Sequence, residues 1–318
     1  MAMYASSPDR FHQLCWLALL FLLAPIAAHA GNASLQARYA ELKPALQKNV
    51  YAMPISIFSS DGDHRMLGEV YGVIDSPFQS VHTALTTPAH WCEIVPLHLN
   101  IKACTYQHQN AFCQLTFYTG RKYYEKPDDV YQLAYRFSLS EDLHDYFHVD
   151  LSSAHGPMGT SDYNIQVEAI PLTDTTSFIH FRYAYSYNYL TQLGMNTYLA
   201  TLGQDKVGFS VISKNGQDAP VLVSGIRGII ERNAVRYYLA IKSYMDTVQV
   251  APDRRFDARS ERWFELTERH HRQLYEMDKE EYLTYKHQEL TDQQRLQKAI
   301  HRKGHDLAVC NSMLAKHD

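Results

Sequence analysis

The chain has 318 residues, with 30 Lys and Arg against 34 Asp and Glu and a formal net charge of −4 at pH 7. Hydrophobic residues make up 46% and aromatics 12%, which supports a real core and excludes a disordered chain. No Lys- or Arg-rich run supplies the basic face that phosphate backbones require, so nucleic acid is excluded as a partner.

Residues 15–24 form an apolar run, preceded by Arg10 and His12, interrupted by Pro25 and closed by Ala28-His29-Ala30. A basic flank, a short apolar centre and an A-x-A end read as a secretory signal over residues 1–30, with cleavage after Ala30. The run is shorter than the ~20 residues a membrane helix needs. The mature chain is expected to be exported, and periplasmic where the host is Gram-negative. It keeps Cys92, Cys104, Cys113 and Cys310, and an oxidising compartment favours bridges among them. Cys104 and Cys113 flank a stretch that reads as a hairpin loop, so Cys104–Cys113 is the expected bridge. Cys92–Cys104 is the alternative, because spacing alone does not bring Cα atoms within reach.

Residues 35–48 read as a short helix, ended near Pro44. The period then becomes two, and Leu67–Ile74 reads as a strand. Asp75-Ser76-Pro77 is a helix start, and Phe78, Val81, Leu85 and Trp91 predict a helix over 78–93 with a break at Pro88. Strands follow over 99–106, 112–119, 131–139, 145–152, 162–171 and 177–187. Turn-rich segments such as Gly120-Arg121-Lys122 and Gly156-Pro157-Met158-Gly159 separate them. A short helix over 190–202 comes next, then a hairpin of 207–213 with 220–225. Ile226, Ile230, Tyr237, Ile241, Tyr244 and Val248 mark one apolar face of a helix of about six turns.

Composition changes at Pro252: 26 of the 66 residues beyond it are charged, against 20% for the whole chain. Trp263, Leu266, His270, Leu274, Met277 and Tyr282 recur there at near-helical spacing among mixed charges. Residues 31–252 are thus one domain. Residues 253–318 are a charged helical extension that packs on the domain or docks on an envelope protein. Many short strands before one long helix define an α+β fold, a curved antiparallel sheet with the helix across one face.

Two strands alternate sharply. Ile179, Phe181, Tyr183, Tyr185 and Tyr187 share one face of 177–187, and Tyr131, Leu133, Tyr135, Phe137 and Leu139 share one face of 131–139. Beneath the long helix these faces either fill a core or line a ligand cavity. The excess of Tyr over Leu and Val favours a lining, since each hydroxyl buried in a dry core needs a partner. The candidate ligand-binding residues are Tyr135, Phe137, Ile179, Phe181, Tyr183 and Tyr185, with Ile230, Tyr237 and Ile241 from the helix. Arg227, Glu231, Arg232 and Arg236 read as a solvated ion-pair face, with a ligand head group as the alternative partner. Histidine spacings such as His144/His148 and His301/His305 offer no third ligand, so no metal site is expected. Phosphate-loop, CxxC, HExxH and GxSxG motifs are absent, and neither a catalytic residue nor a cofactor is expected. Should the cavity house an enzyme, His148 or Glu168 is the candidate titratable group.

The order of elements resembles the helix-grip fold of the START and polyketide-cyclase-like (SRPBCC) superfamily over about residues 50–250. The resemblance rests on Leu67–Ile74 entering Ser76-Pro77-Phe78-Gln79-Ser80-Val81, on the Trp91 to Pro96 exit, and on the helix over 226–248. The chain is also similar to a group of exported bacterial proteins with no assigned activity. That similarity lies in Gly159–Tyr163, Arg227–Asn233 with Arg236–Ile241, and Arg272–Met277. The superfamily resemblance implies an internal cavity for a hydrophobic small molecule or lipid, which the protein carries or sequesters. Some members are enzymes, but no catalytic motif transfers to this chain.

Overall fold

The computed structural model describes residues 30–109, 112–189, 191, 193, 206–302 and 310. The secretory signal expected over 1–30 lies outside them apart from Ala30, as does most of the helix expected over 190–202. Helix α1 (Ala30–Gln47) leads to a hairpin of β1 (Ile55–Gly62) and β2 (Arg65–Ile74). Helices α2 (Phe78–Thr86) and α3 (Pro88–Ile94) follow, divided where Pro88 opens a new first turn. Next come β3 (Ile101–Gln109), β4 (Phe112–Thr119), β5 (Tyr131–Leu143), β6 (Tyr146–His155), β7 (Thr160–Thr173) and β8 (Thr176–Tyr187). Each pairs antiparallel with the next, and β8 returns to β2, giving the order β1-β2-β8-β7-β6-β5-β4-β3. A hairpin of β9 (Val211–Lys214) and β10 (Pro220–Leu222) precedes the long helix α4 (Gly225–Asp246). Helices α5 (Arg255–Glu268), α6 (His271–Leu274) and α7 (Lys279–Arg302) complete the described chain.

The sheet curves around α4, which makes this an α+β helix-grip fold. Alternation along each strand sorts its residues between two faces. Val149, Leu151, Ile165, Val167, Ile179 and Phe181 join Ile230, Ala234, Tyr238 and Ile241 of α4 in the main core. Gly68 and Gly72 on β2 let the helix come close: a Cβ at Gly72 would collide with the Tyr238 ring, and one at Gly68 with Ile230 and Ala234. On the other face, α1 lays Leu35, Leu42 and Leu46 over Tyr71, Tyr146, Ile170 and Phe178. Glu231, expected on a solvated ion-pair face, is instead fully buried. Its carboxylate accepts from the Phe209 and Ser210 amides at 2.6 and 2.9 Å and from Ser59 Oγ at 2.5 Å. This fixes the approach to α4 against β1, because a buried carboxylate requires donors.

The charged extension packs on its own domain. Trp263 stacks on Tyr282 at 5.0 Å, and α7 runs along β3, the last strand of the sheet. The Cys104 and Tyr106 amides donate to Gln293 Oε1 at 2.7 Å and Gln297 Oε1 at 3.0 Å. Gln297 Nε2 donates back to the Tyr106 carbonyl, and Gln293 Nε2 to that of Cys92, both at 2.9 Å. Two glutamines one helical turn apart thus satisfy backbone groups that an outermost strand leaves open. Among the described residues, no helix is long and apolar enough to cross a membrane.

The expected Cys104–Cys113 bridge is corrected by the strand register. Cys113 lies opposite His108, and Cys104 lies opposite Phe117, so four residues of strand separate the two along the hairpin. At about 3.3 Å per residue this exceeds the Cα separation that a disulfide spans. The bridges are Cys92–Cys104, which ties α3 to β3, and Cys113–Cys310, which ties β4 to the chain beyond α7.

Candidate functional site

The nine residues singled out from the sequence come together. Tyr135, Phe137, Ile179, Phe181, Tyr183 and Tyr185 project from the sheet into the same buried cluster as Ile230, Tyr237 and Ile241 of α4. Tyr163 of β7, which was not singled out, joins them. Its alternation with Ile165 and Val167 along 162–171 was the available signal. Ring centroids step across the wall: Phe117–Tyr135 at 4.6 Å, Tyr163–Tyr185 at 5.0 Å, Tyr183–Tyr237 at 5.5 Å and Phe181–Tyr237 at 5.9 Å.

The polar ends of these rings set the wall apart from an ordinary core. Tyr163 donates to Thr160 Oγ1 at 2.9 Å. The hydroxyls of Tyr135, Tyr183, Tyr185 and Tyr237 make no hydrogen bond among the described residues. Nor are they sealed: among the described residues, the tyrosine oxygen that is both enclosed and unpartnered is that of Tyr238. The four oxygens therefore retain some accessible surface at the ends of buried rings on the side of the sheet that faces α4. Burial alone pushes all four phenols up, so they stay protonated donors at any physiological pH.

One end of this wall is strongly cationic. His98 stacks on Tyr237 at 4.5 Å and is almost wholly buried. Its Nδ1 accepts from the Asn100 amide at 3.1 Å, so the ring proton sits on Nε2, which has no partner. Burial, then the charges of Arg236, Lys286, Lys102 and Lys122, hold His98 well below its ordinary pKa, which keeps the ring neutral. Arg236 follows the opposite route into this region. Its Nη2 donates to Glu276 Oε1 at 2.8 Å and to the Leu274 carbonyl, while its Nε is enclosed without a partner. Lys122 and Lys206 both reach Glu276 Oε2, at 2.6 and 2.9 Å. Nearby, Glu289 bridges Lys102 at 2.9 Å and Lys286 at 2.7 Å. Five cations are thus linked to two carboxylates. Burial outweighs the carboxylate at Lys122, whose pKa falls to about 8. Sequence reasoning reached only Arg236 here; the others lie at the start of β3, in loops and in the extension, where no alternation marks them as neighbours.

Glu168 and His148 lie on the opposite face of the sheet. They pair across β6 and β7 beside α1, away from the tyrosine wall, which corrects their placement as candidate titratable groups beneath α4. Glu168 accepts from Tyr146 Oη at 2.6 Å and contacts His180 Nδ1 at 2.7 Å, while Glu69 contacts His180 Nε2 at 3.0 Å. Tyr71 lies flat on the imidazole at 4.0 Å. Burial disfavours the imidazolium, but the bonds and charges of Glu168 and Glu69 outweigh it and raise the His180 pKa. A raised pKa means stability that is full below the unfolded value of about 6.5 and lost as pH rises through the folded one. His180→Gln is therefore expected to cost more stability at pH 6 than at pH 9, read from urea unfolding at both. An equal loss at both would show that the ring is neutral between the carboxylates. A separate groove of about 460 Å³ lies between α3, α5 and α7, lined by Pro96, Leu97, Phe256 and Leu290.

No family model and no curated protein sequence matches the chain. Solved structures do. A conserved protein of unknown function from Enterococcus faecalis is 10% identical, with 67% of this chain and 91% of that one covered at a TM-score of 0.33. Norcoclaurine synthase from Thalictrum flavum is 11% identical over 47% of this chain and 84% of its own, at 0.30. Human StAR-related lipid transfer protein 5 is 10% identical over 54% and 90%, at 0.29. At that level the likenesses carry no argument about the site. The helix-grip architecture stands on the strand order and the gripped helix.

Proposed function

We propose that this is an exported binding protein for a hydrophobic small molecule, a lipid or isoprenoid, which it carries or sequesters beneath α4. The observation that carries this reading is the wall itself: four buried tyrosine rings whose hydroxyls find no partner among the described residues. A filled core gains little from such groups, whereas a ligand with an apolar body and a few oxygens covers the rings and engages the hydroxyls. Affinity comes from apolar area removed from water, at about 25 cal/mol per Å². Export is supported by the leader pattern over residues 1–30 and by two disulfides, which persist in oxidising compartments.

Native mass spectrometry of the purified protein, with analysis of its organic extract, tests the reading. The expected result is a bound apolar molecule, together with a melting temperature that rises with lipid. Saturation at 100 times Kd adds about 2.7 kcal/mol of stability. Protein that is consistently empty, with no melting shift across lipid classes, overturns it.

A further inference from the structure

The groove between α3, α5 and α7 has a volume of about 460 Å³, within the range of small-molecule sites. Pro96, Leu97, Phe256 and Leu290 give it an apolar lining. Arg255 and Arg259 line it too, and one helical turn apart on α5 they share a face of that helix. Arg259 is 5% exposed, yet among the described residues its guanidinium makes one hydrogen bond, from Nη1 to Glu93. Its Nε is enclosed without a partner, whereas its Nη2 is unpartnered and keeps accessible surface. The guanidinium lies 4.1 Å over the Tyr244 ring, which fixes its plane. Arg255 uses only its Nε, on the Val250 carbonyl at 2.7 Å. A guanidinium this buried calls for more acceptors than one carboxylate oxygen. The surrounding charge is also unbalanced. Lys286 and Glu289 line the groove, and Glu289 is shared with Lys102 behind it. Four cations thus stand against Glu93, Asp253 and Glu289.

We propose that this groove binds a compact carboxylate with an apolar body, its acid group between Arg255 and Arg259 and its body against Pro96, Leu97, Phe256 and Leu290. Guanidinium groups offer paired N–H donors at the spacing a carboxylate accepts. The groove meets α5 at its first turn, where the helix dipole is positive and no side chain caps the free amides. It shares no lining residue with the tyrosine wall, so this site stands apart from the reading of that wall.

The test titrates 2-naphthoate, 1-pyrenebutyrate and octanoate, each beside its neutral primary amide, into the purified protein with both disulfides intact, by calorimetry at pH 7. Burial lowers Lys286 to about 8, so it still carries its charge there. At least one acid is expected to bind, about tenfold or more tightly than its amide. Arg255→Gln, at a partly exposed position, is expected to weaken that acid about fivefold or more and to leave the amide unchanged. Leu290→Trp, also at a partly exposed position, fills the groove without changing a charge and is expected to abolish binding of acid and amide alike. The result therefore does not depend on one variant's folding. Equal affinity for acid and amide overturns the carboxylate. An acid whose affinity neither variant changes sits elsewhere and overturns the site, as does failure of all three acids to bind.

Discussion

Replacing Glu276 by glutamine is expected to destabilise the protein by about 3–5 kcal/mol, the range for breaking a buried ion pair from one side. The side chain is 6% exposed and is the shared partner of Arg236, Lys122 and Lys206. Arg236 is the costly one to strand, because its own side chain is 2% exposed and its Nε already lacks a partner. The same network sets a pH dependence. Burial pushes the Glu276 carboxyl up, but the three cations outweigh it and hold it at about 2. A depressed carboxylate contributes stability that is full above the unfolded pKa of about 4.3 and lost as pH falls towards 2. The shift corresponds to about 3 kcal/mol. Urea unfolding of both proteins at pH 7 and pH 2.5 checks this: the gap between them should narrow at the lower pH. A variant within about 1 kcal/mol of the parent at pH 7 would show that water already neutralises the cluster.

The second large effect concerns Cys113–Cys310, whose cysteines lie 197 residues apart. The bridge closes most of the chain into one loop, so the Cys113→Ser, Cys310→Ser double variant is expected to lose about 4–5 kcal/mol. Cys92–Cys104 closes a span of only 12, and its removal should cost about 3 kcal/mol or less. Guanidinium unfolding ranks the two. The pairing is read independently from a non-reducing peptide map, where a peptide joining Cys104 to Cys113 would contradict the register of the β3–β4 hairpin.

The sequence made the sheet legible wherever one face was buried. Tyr135 to Phe137 and Ile179 to Tyr185 alternate cleanly, and each strand so marked lies within a few residues of its expected place. Strand β1 escaped because Ile55 and Ile57 alternate only briefly before Ser59, Ser60 and Asp61, too short a signal to separate from a loop. The bridge was misjudged because a hairpin's register depends on the length of its turn, and nearness along the chain does not set it. The cationic end was invisible for another reason. His98 lies just before β3, Lys122 in a loop, and Glu276 between two helices, so only the fold makes neighbours of them. Glu231 misled in the opposite direction. Its spacing from Arg227 is that of a helical ion pair, but tertiary donors from Ser59, Phe209 and Ser210 claim the carboxylate first.

The paired amides of Gln293 and Gln297 also bear on how copies of this protein behave together. A bare outer strand is a template on which a second molecule can add its own, and repetition of that step builds insoluble polymers. Side-chain amides that mimic a neighbouring peptide occupy the template without continuing it. A chain that ended before Gln293 would lose the Cys113–Cys310 bridge and at the same time acquire a site for strand-by-strand aggregation.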